Sequence, residues 1–180
     1  MRIIGGAFKS RIFRPAKNFK ARPTTDFARE NLFNILINRY DFEDKKVLDL
    51  FSGTGSISFE FASRGCKNVT SVEIDRFHYQ FICSVVDKLD IKRSVKALNA
   101  DVFKFIARTP ERYDLIFADP PYELNRISEI PDLILNSKLL NINGLLVLEH
   151  GKLNDFSSHP LFSELRKYGS VHFSFFSGIE

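Results

Sequence analysis

Four residues carry the densest chemical signal in this chain. Asp119-Pro120-Pro121-Tyr122 follows directly on the apolar run Leu115-Ile116-Phe117-Ala118. Two consecutive prolines fix φ and remove two backbone donors, so the corner presents carbonyls and a carboxylate. A carboxylate beside a carbonyl is an acceptor-only fork, matched to the two hydrogens of an NH₂ group. Tyr122 adds a flat face on which a planar base can stack. The chemistry expected is substitution at an amine whose lone pair is delocalised into a ring or an amide. Gripping both N–H groups would pull that nitrogen toward tetrahedral geometry and aim its lone pair, so rate comes mainly from positioning and electrostatics. Asp119 would act first as a hydrogen-bond acceptor and second as a base.

A second group of residues suits a nucleoside-like ligand. Asp49-Leu50-Phe51-Ser52-Gly53-Thr54-Gly55 ends another apolar run in a glycine turn, which lets backbone approach a bound molecule closely. A third glycine in the dinucleotide spacing would fall at Ser58, which weakens a pyrophosphate reading. Glu73 lies 18 residues after Gly55, about where an acid meets ribose hydroxyls in this architecture. Asp101 could accept an adenine amine while Val102 or Phe103 covers the ring, or it could cap the helix that starts at Val102. Asp49 sits inside an apolar run, and an ionised carboxylate there needs a cationic partner. Acids at three successive strand ends suit an adenosyl group joined to a cationic amino acid, and the ligand expected is S-adenosyl-L-methionine. The cofactor-binding set is Asp49, Phe51, Gly53, Gly55, Glu73, Ile74, Asp101 and Val102.

These residues need a frame, and the hydropathy pattern supplies one. A helix is expected over 26–39, with Phe27, Leu32, Phe33, Leu36 and Ile37 near helical spacing. Strand and helix then alternate: strands over 47–51, 69–74, 95–98, 115–118 and 145–148, and helices over 56–64, after Asp75, from Val102 and over 127–135. Phe77, Phe81, Val85 and Leu89 mark one face of the helix after Asp75. Segments 166–168 and 171–176, split by Gly169-Ser170, read as a closing hairpin. Near-continuous apolar strands between helices predict an α/β fold with a doubly wound, parallel sheet, to which the hairpin adds an antiparallel member.

The chain has 180 residues and a net charge of +4. Residues 1–25 carry seven bases and no acid, which leaves the remaining residues at −3. A basic segment on a mildly acidic body suggests a polyanion contact at one end. Short β-prone runs at Arg2-Ile3-Ile4 and Arg11-Ile12-Phe13, with Gly5-Gly6 after the first, predict a small hairpin whose Arg2, Lys9, Arg11 and Arg14 meet phosphates. The organisation expected is a basic arm over 1–25 and one domain over 26–180. Two cysteines exclude a disulfide scaffold. No run has membrane-span length, the N-terminal segment lacks a signal-peptide core, and a reducing, cytoplasmic setting is expected. The four histidines lack metal-ligand spacing, so no metal is expected; His150 is read as a surface or capping residue. The 19 phenylalanines are read as core filling.

Met1-Arg2-Ile3-Ile4-Gly5-Gly6, Arg22-Pro23-Thr24-Thr25-Asp26, the Asp49 to Gly55 turn and Asp119-Pro120-Pro121-Tyr122 together resemble the bacterial 16S ribosomal RNA guanine-N2 methyltransferase family (RsmD-like). The likeness covers nearly the whole chain, and the arm with Arg-Pro-Thr-Thr-Asp narrows it. It implies a seven-stranded, Rossmann-like methyltransferase sheet, S-adenosylmethionine as donor, and a product methylated on a guanine N2 in small-subunit ribosomal RNA. It implies cofactor contacts for Asp49, Gly53, Gly55, Glu73 and Asp101, and guanine contacts for Asp119 to Tyr122. Arg22, Thr24 and Thr25 would lie near the active-site mouth, where RNA and cofactor contacts are both open to them. Ribosomal RNA or the assembling small subunit is the partner expected, with the enzyme a monomer. The same acceptor fork would serve adenine N6 in DNA or glutamine in a protein. A catalytically silent RNA-binding assembly factor is the rival from another class.

Overall fold

The computed structural model describes residues 1–15 and 25–177. Helix α1 (Asp26–Ile37) begins at Thr25, whose hydroxyl caps the Ala28 amide. The alternating body follows as β1 (Lys46–Leu50), α2 (Ser56–Ser63), β2 (Asn68–Glu73), α3 (Arg76–Leu89), β3 (Val95–Asn99), α4 (Val102–Arg108) and β4 (Tyr113–Ala118). A 3₁₀ turn (Ile127–Glu129), α5 (Ile130–Leu135), β5 (Leu140–His150), β6 (Phe162–Tyr168) and β7 (Val171–Ser177) complete it.

The seven strands form one sheet in the order β3-β2-β1-β4-β5-β7-β6. Strand β7 runs antiparallel to both its neighbours, and the pairs among β1 to β5 are parallel. The chain winds outward from β1 to β3 and then returns to place β4 on the other side of β1. The strand order therefore reverses between β1 and β4, and their carboxyl ends open a crevice suited to a ligand.

Alternation along each strand supplies two cores. Val47, Leu115, Phe117, Val147 and Phe173 pack with Phe33 of α1, Phe59 and Phe61 of α2 and Ile82 of α3. Leu48, Ile116, Leu146 and Phe176 pack with α4 and α5 on the opposite face. Among the described residues nine phenylalanines are buried in these cores, while Phe27 and Phe77 are exposed, so core filling accounts for only part of them.

Several boundaries and faces differ from expectation for local reasons. Helix α1 stops at Ile37, and Phe27 and Ile37 face outward at 65% and 51% exposure. The residue that α1 buries instead is Arg29. On α3 the inward face is Ile82, Val85, Val86 and Leu89, with Phe77 exposed. Pro131 near the start of α5 leaves the preceding turn as 3₁₀ rather than a continuous helix. Strand β5 starts at Leu140, because Asn141-Ile142-Asn143-Gly144, exposed at Ile142 and Asn143, is an irregular strand that reads locally as a turn. Asn143 there has φ 58°. Strand β6 is a mostly half-exposed edge, so its alternation is diluted and its start at Phe162 is hidden.

Residues 1–15 fold back on themselves through one antiparallel bridge, Arg2 to Ile12, with the Ile3 amide donating to the Arg11 carbonyl at 3.0 Å. This arm docks on α2: Ala7 and Phe8 donate to Ser63, and Ile4 and Gly5 donate to the Glu60 carboxylate. Gly6 is required there. Its φ is 73°, and a Cβ would stand 1.9 Å from the Ser63 carbonyl oxygen.

Candidate active site

The carboxyl ends of β1, β2, β4 and β5 surround a cavity of about 400 Å³. Its lining brings together Thr25, Asp49, Phe51, Gly53, Glu73, Ile74, Asp119, Pro120, Pro121 and Tyr122 from the expected set, and adds Glu149, Ser56 and His78.

Asp49 is the most buried carboxylate of the group. The Ser58 amide and hydroxyl donate to its Oδ2 at 3.1 and 2.6 Å. Burial pushes its carboxyl up to about 7, against the Ser58 hydrogen bonds, and Glu73 nearby pushes the same way as burial. Ser58, read in the sequence only as a missing glycine, is thus the partner that holds Asp49. A buried acid poised at neutrality, on a cavity wall, is a fitting seat for an ammonium group.

Glu73 braces the glycine turn. Its Oε2 accepts from the Gly53 amide at 2.7 Å, and its Oε1 accepts from the Asp75 amide at 2.8 Å. Gly53 and Gly55 take φ values of 52° and 72°, and Phe51 before them is at 59°. The turn thus bends sharply enough to put Phe51 on the cavity wall. Ile74, just past β2, is 62% exposed and offers the cavity an apolar face. Asp75 caps α3 through the Phe77 and His78 amides, and the His78 imidazole stands 3.9 Å from Glu73. Asn99 donates to the Glu73 and Ile74 carbonyls and so ties the end of β2 to β3.

Asp101 caps α4 by accepting from the Lys104 amide, and Val102 is buried in the core that packs α4 and α5 on the sheet. Neither they nor Gly55 line the cavity that holds Asp119. Gly55 is instead the N-cap of α2.

The Asp119 amide donates to the Leu50 carbonyl, which fixes the corner beside β1. Pro120 is buried and Pro121 exposed. The Pro121 carbonyl accepts from the Leu124 amide and closes a turn, so the carbonyl that could complete a fork with Asp119 is that of Pro120. The Tyr122 hydroxyl donates to Glu149 Oε1 at 3.2 Å, and its ring lies against Gly151, where a Cβ would stand 3.0 Å from the ring.

Three further residues support this end of the sheet, of which Glu149 and Arg29 drew no reading from the sequence. Glu149 is the penultimate residue of β5 and is 3% exposed. An acid ending an apolar strand was the available signal, the same one that marks Asp49 and Glu73. His150 is fully buried rather than a surface residue. Its Nδ1 donates to the Gly151 carbonyl and its Nε2 accepts from the Ser174 hydroxyl, and burial lowers its pKa. Arg29 is buried between the arm and the body. It donates to the Arg2 carbonyl and to Asp26 at 2.7 Å and lies 3.7 Å from Glu60. No sequence pattern announced it, since its partners come from separate segments of the chain.

Of the expected nucleic-acid contacts, Lys9, Arg11 and Arg14 are exposed on the arm. Arg2 is half-engaged, its guanidinium paired with Asp26 at 2.8 Å. Thr25 lines the cavity while capping α1. Arg22 and Thr24 lie outside the described residues. Among the described residues no three His, Cys, Asp or Glu side chains are grouped to hold a metal ion, and no helix is long and apolar enough to cross a membrane.

The fold and this cavity place the chain among the Rossmann-like, S-adenosylmethionine-dependent methyltransferases. The carboxylates, the glycine turn and the apolar faces of Phe51 and Ile74 suit that cofactor's ammonium, ribose and adenine. Within the class, the chain belongs to the family described as Conserved hypothetical protein 95, matched over residues 1–177. Ribosomal RNA small subunit methyltransferase D of Buchnera aphidicola subsp. Baizongia pistaciae is 30% identical, over 99% of this chain and 92% of its own. The protein of that name from Escherichia coli K12 is 29% identical over 89% of this chain and 79% of its own. Among solved structures, the hypothetical protein TTHA0928 of Thermus thermophilus is 29% identical with a TM-score of 0.82, covering 99% of both chains.

Proposed function

We propose that this chain transfers a methyl group from S-adenosylmethionine to the N2 amine of a guanine in the RNA of the small ribosomal subunit. The observation that carries the reading is that the Asp119-Pro120-Pro121-Tyr122 corner opens on the same cavity as Asp49 and Glu73. The names of the relatives supply the RNA, and the resemblance of the motifs supplies the guanine.

The bound cofactor supplies an electrophilic methyl group on a sulfonium. Asp49 meets its ammonium, and Glu73, already fixed by the Gly53 and Asp75 amides, accepts from the ribose. Ile74 and Phe51 exclude water from the adenine. The target base must leave its stack to enter, because a paired guanine uses the same amine. Asp119 and the Pro120 carbonyl then accept the two N2 hydrogens, Tyr122 stacks on the base, and the nitrogen lone pair is directed in line. Formation of the N–C bond would be matched by loss of the sulfonium's bond to the methyl carbon, leaving a neutral thioether; the nitrogen would become cationic, and Asp119 is placed to accept its proton. Arg2, Lys9, Arg11 and Arg14 provide phosphate contacts, and Arg22, Thr24 and Thr25 meet RNA or cofactor at the active-site mouth, from a functional unit over 1–25, with transfer assigned to 26–180. The enzyme acts as a cytoplasmic monomer.

Nucleoside mass spectrometry of small-subunit RNA, treated with the protein and cofactor, tests this. N2-methylguanosine is expected at one position; N6-methyladenosine, or no new methyl group, refutes it.

A further inference from the structure

Glu149 occupies a place that the transfer reaction as described does not use. Strands β4 and β5 are parallel neighbours with Phe117 opposite Val147 and Ala118 opposite Leu148. Asp119 and Glu149 each follow directly on the last of these pairs, on neighbouring strands about 4.8 Å apart, and both line the cavity. Glu149 is 3% exposed. Its Oε1 already takes the Tyr122 hydroxyl, which fixes the carboxylate relative to the proposed stacking ring. It also lies within electrostatic reach of the buried Arg29, whose charge it supports.

A buried carboxylate favours ligands that bring it hydrogen-bond donors. Guanine offers them in a particular order. On its Watson–Crick edge the N2 amine is followed by N1–H, a second donor. Adenine follows its N6 amine with a bare N1 lone pair. If the corner of Asp119 and Pro120 grips the amine, the neighbouring carboxylate meets N1. Facing N1–H it gains a charge-assisted hydrogen bond. Facing a lone pair it is repelled.

We propose that Glu149 is the residue that reads guanine, by accepting N1–H beside the amine that Asp119 holds. This rests on the guanine-N2 reading above and names what enforces it. Tyr122 contributes twice, stacking on the base and orienting the acceptor. The arrangement also disfavours adenine N6 as a target of the same fork.

The test uses 2-aminopurine, which keeps the 2-amino group and lacks N1–H. Small subunits are reconstituted with guanine or 2-aminopurine at the nucleotide where mass spectrometry finds the methyl group. Single-turnover transfer is then measured for the unaltered protein, Glu149→Gln and Glu149→Asp, with cofactor affinity followed by calorimetry. The unaltered protein is expected to favour guanine by at least about tenfold, the worth of a hydrogen bond to a charged group. Glu149→Gln, whose amide can donate to a bare N1, is expected to shrink that preference to within about threefold while still binding cofactor. Glu149→Asp keeps an acceptor and is expected to retain the preference in part. An unchanged ratio in Glu149→Gln, or equal loss on both substrates down to no turnover, overturns the assignment while leaving guanine as substrate. Failure of the unaltered protein to methylate guanine overturns the parent reading as well, and the two failures are told apart by that single control.

Discussion

Replacing Asp49 by Asn should separate the two tasks of this buried carboxylate. Its folded pKa of about 7 lies some three units above the ordinary carboxylate value near 4. The folded protein therefore holds a proton that the unfolded chain releases, and stability falls as pH rises between about 4 and 7. At 1.36 kcal/mol per unit, the loss approaches about 4 kcal/mol once the group is ionised. Asn keeps the size and can still pair with Ser58, so the variant without cofactor should match the parent near pH 4. It should then become progressively more stable than the parent, levelling above pH 7. Cofactor binding should show the opposite trend. If an ammonium needs the ionised form, a group with a pKa of about 7 is about one-tenth ionised at pH 6 and nine-tenths at pH 8. Affinity should then tighten about tenfold across that interval in the parent, and much less in Asp49→Asn, which should bind more weakly at pH 8. Glu73 and His78 share the cavity, so any slope surviving in the variant belongs to groups such as these. Urea denaturation and calorimetry over pH 4 to 8 supply both curves. A flat stability difference, or identical pH slopes for binding, refutes the account of Asp49.

Asp119→Ala should bind cofactor at near-parental affinity in calorimetry but lose transfer by roughly 10²- to 10³-fold, as removal of one hydrogen-bonding group from a positioned site does; retained turnover would undo the fork. Glu73→Ala should weaken cofactor binding roughly tenfold or more by removing both the ribose acceptor and the brace on Gly53, and an unchanged Kd would take Glu73 out of the cofactor site. Gly6→Ala should lower the melting temperature, by an amount equivalent to at least about 1 to 3 kcal/mol, since it adds a strained φ and a clash with Ser63; an unaltered melting curve would mean the arm is not docked as described. Changing Lys9, Arg11 and Arg14 together to Gln should flatten the salt dependence of RNA binding by up to about three in the log–log slope, and an unchanged slope would free the arm from that role.

The sequence alone carried the alternation of strands and helices, because the cores of β1, β2, β4 and β5 are short apolar runs separated by helical segments. The same runs located Asp49, Glu73 and Asp119, since an acid or a glycine turn directly after such a run must stand at a strand's carboxyl end. What remained invisible depended on partners far apart in the chain. The half-exposed edge β6 and the irregular start of β5 lack any apolar period, so only pairing with β7 and β4 defines them. Arg29 could be placed inside only once the arm, Asp26 and Glu60 had converged on it. Ser58 looked like a lost glycine until the turn brought it to Asp49. Glu149 looked like one more acid until parallel register set it beside Asp119. Local periodicity determines which way a residue faces on its own element; which distant group meets it is decided by strand order and register, and those are properties of the assembled sheet.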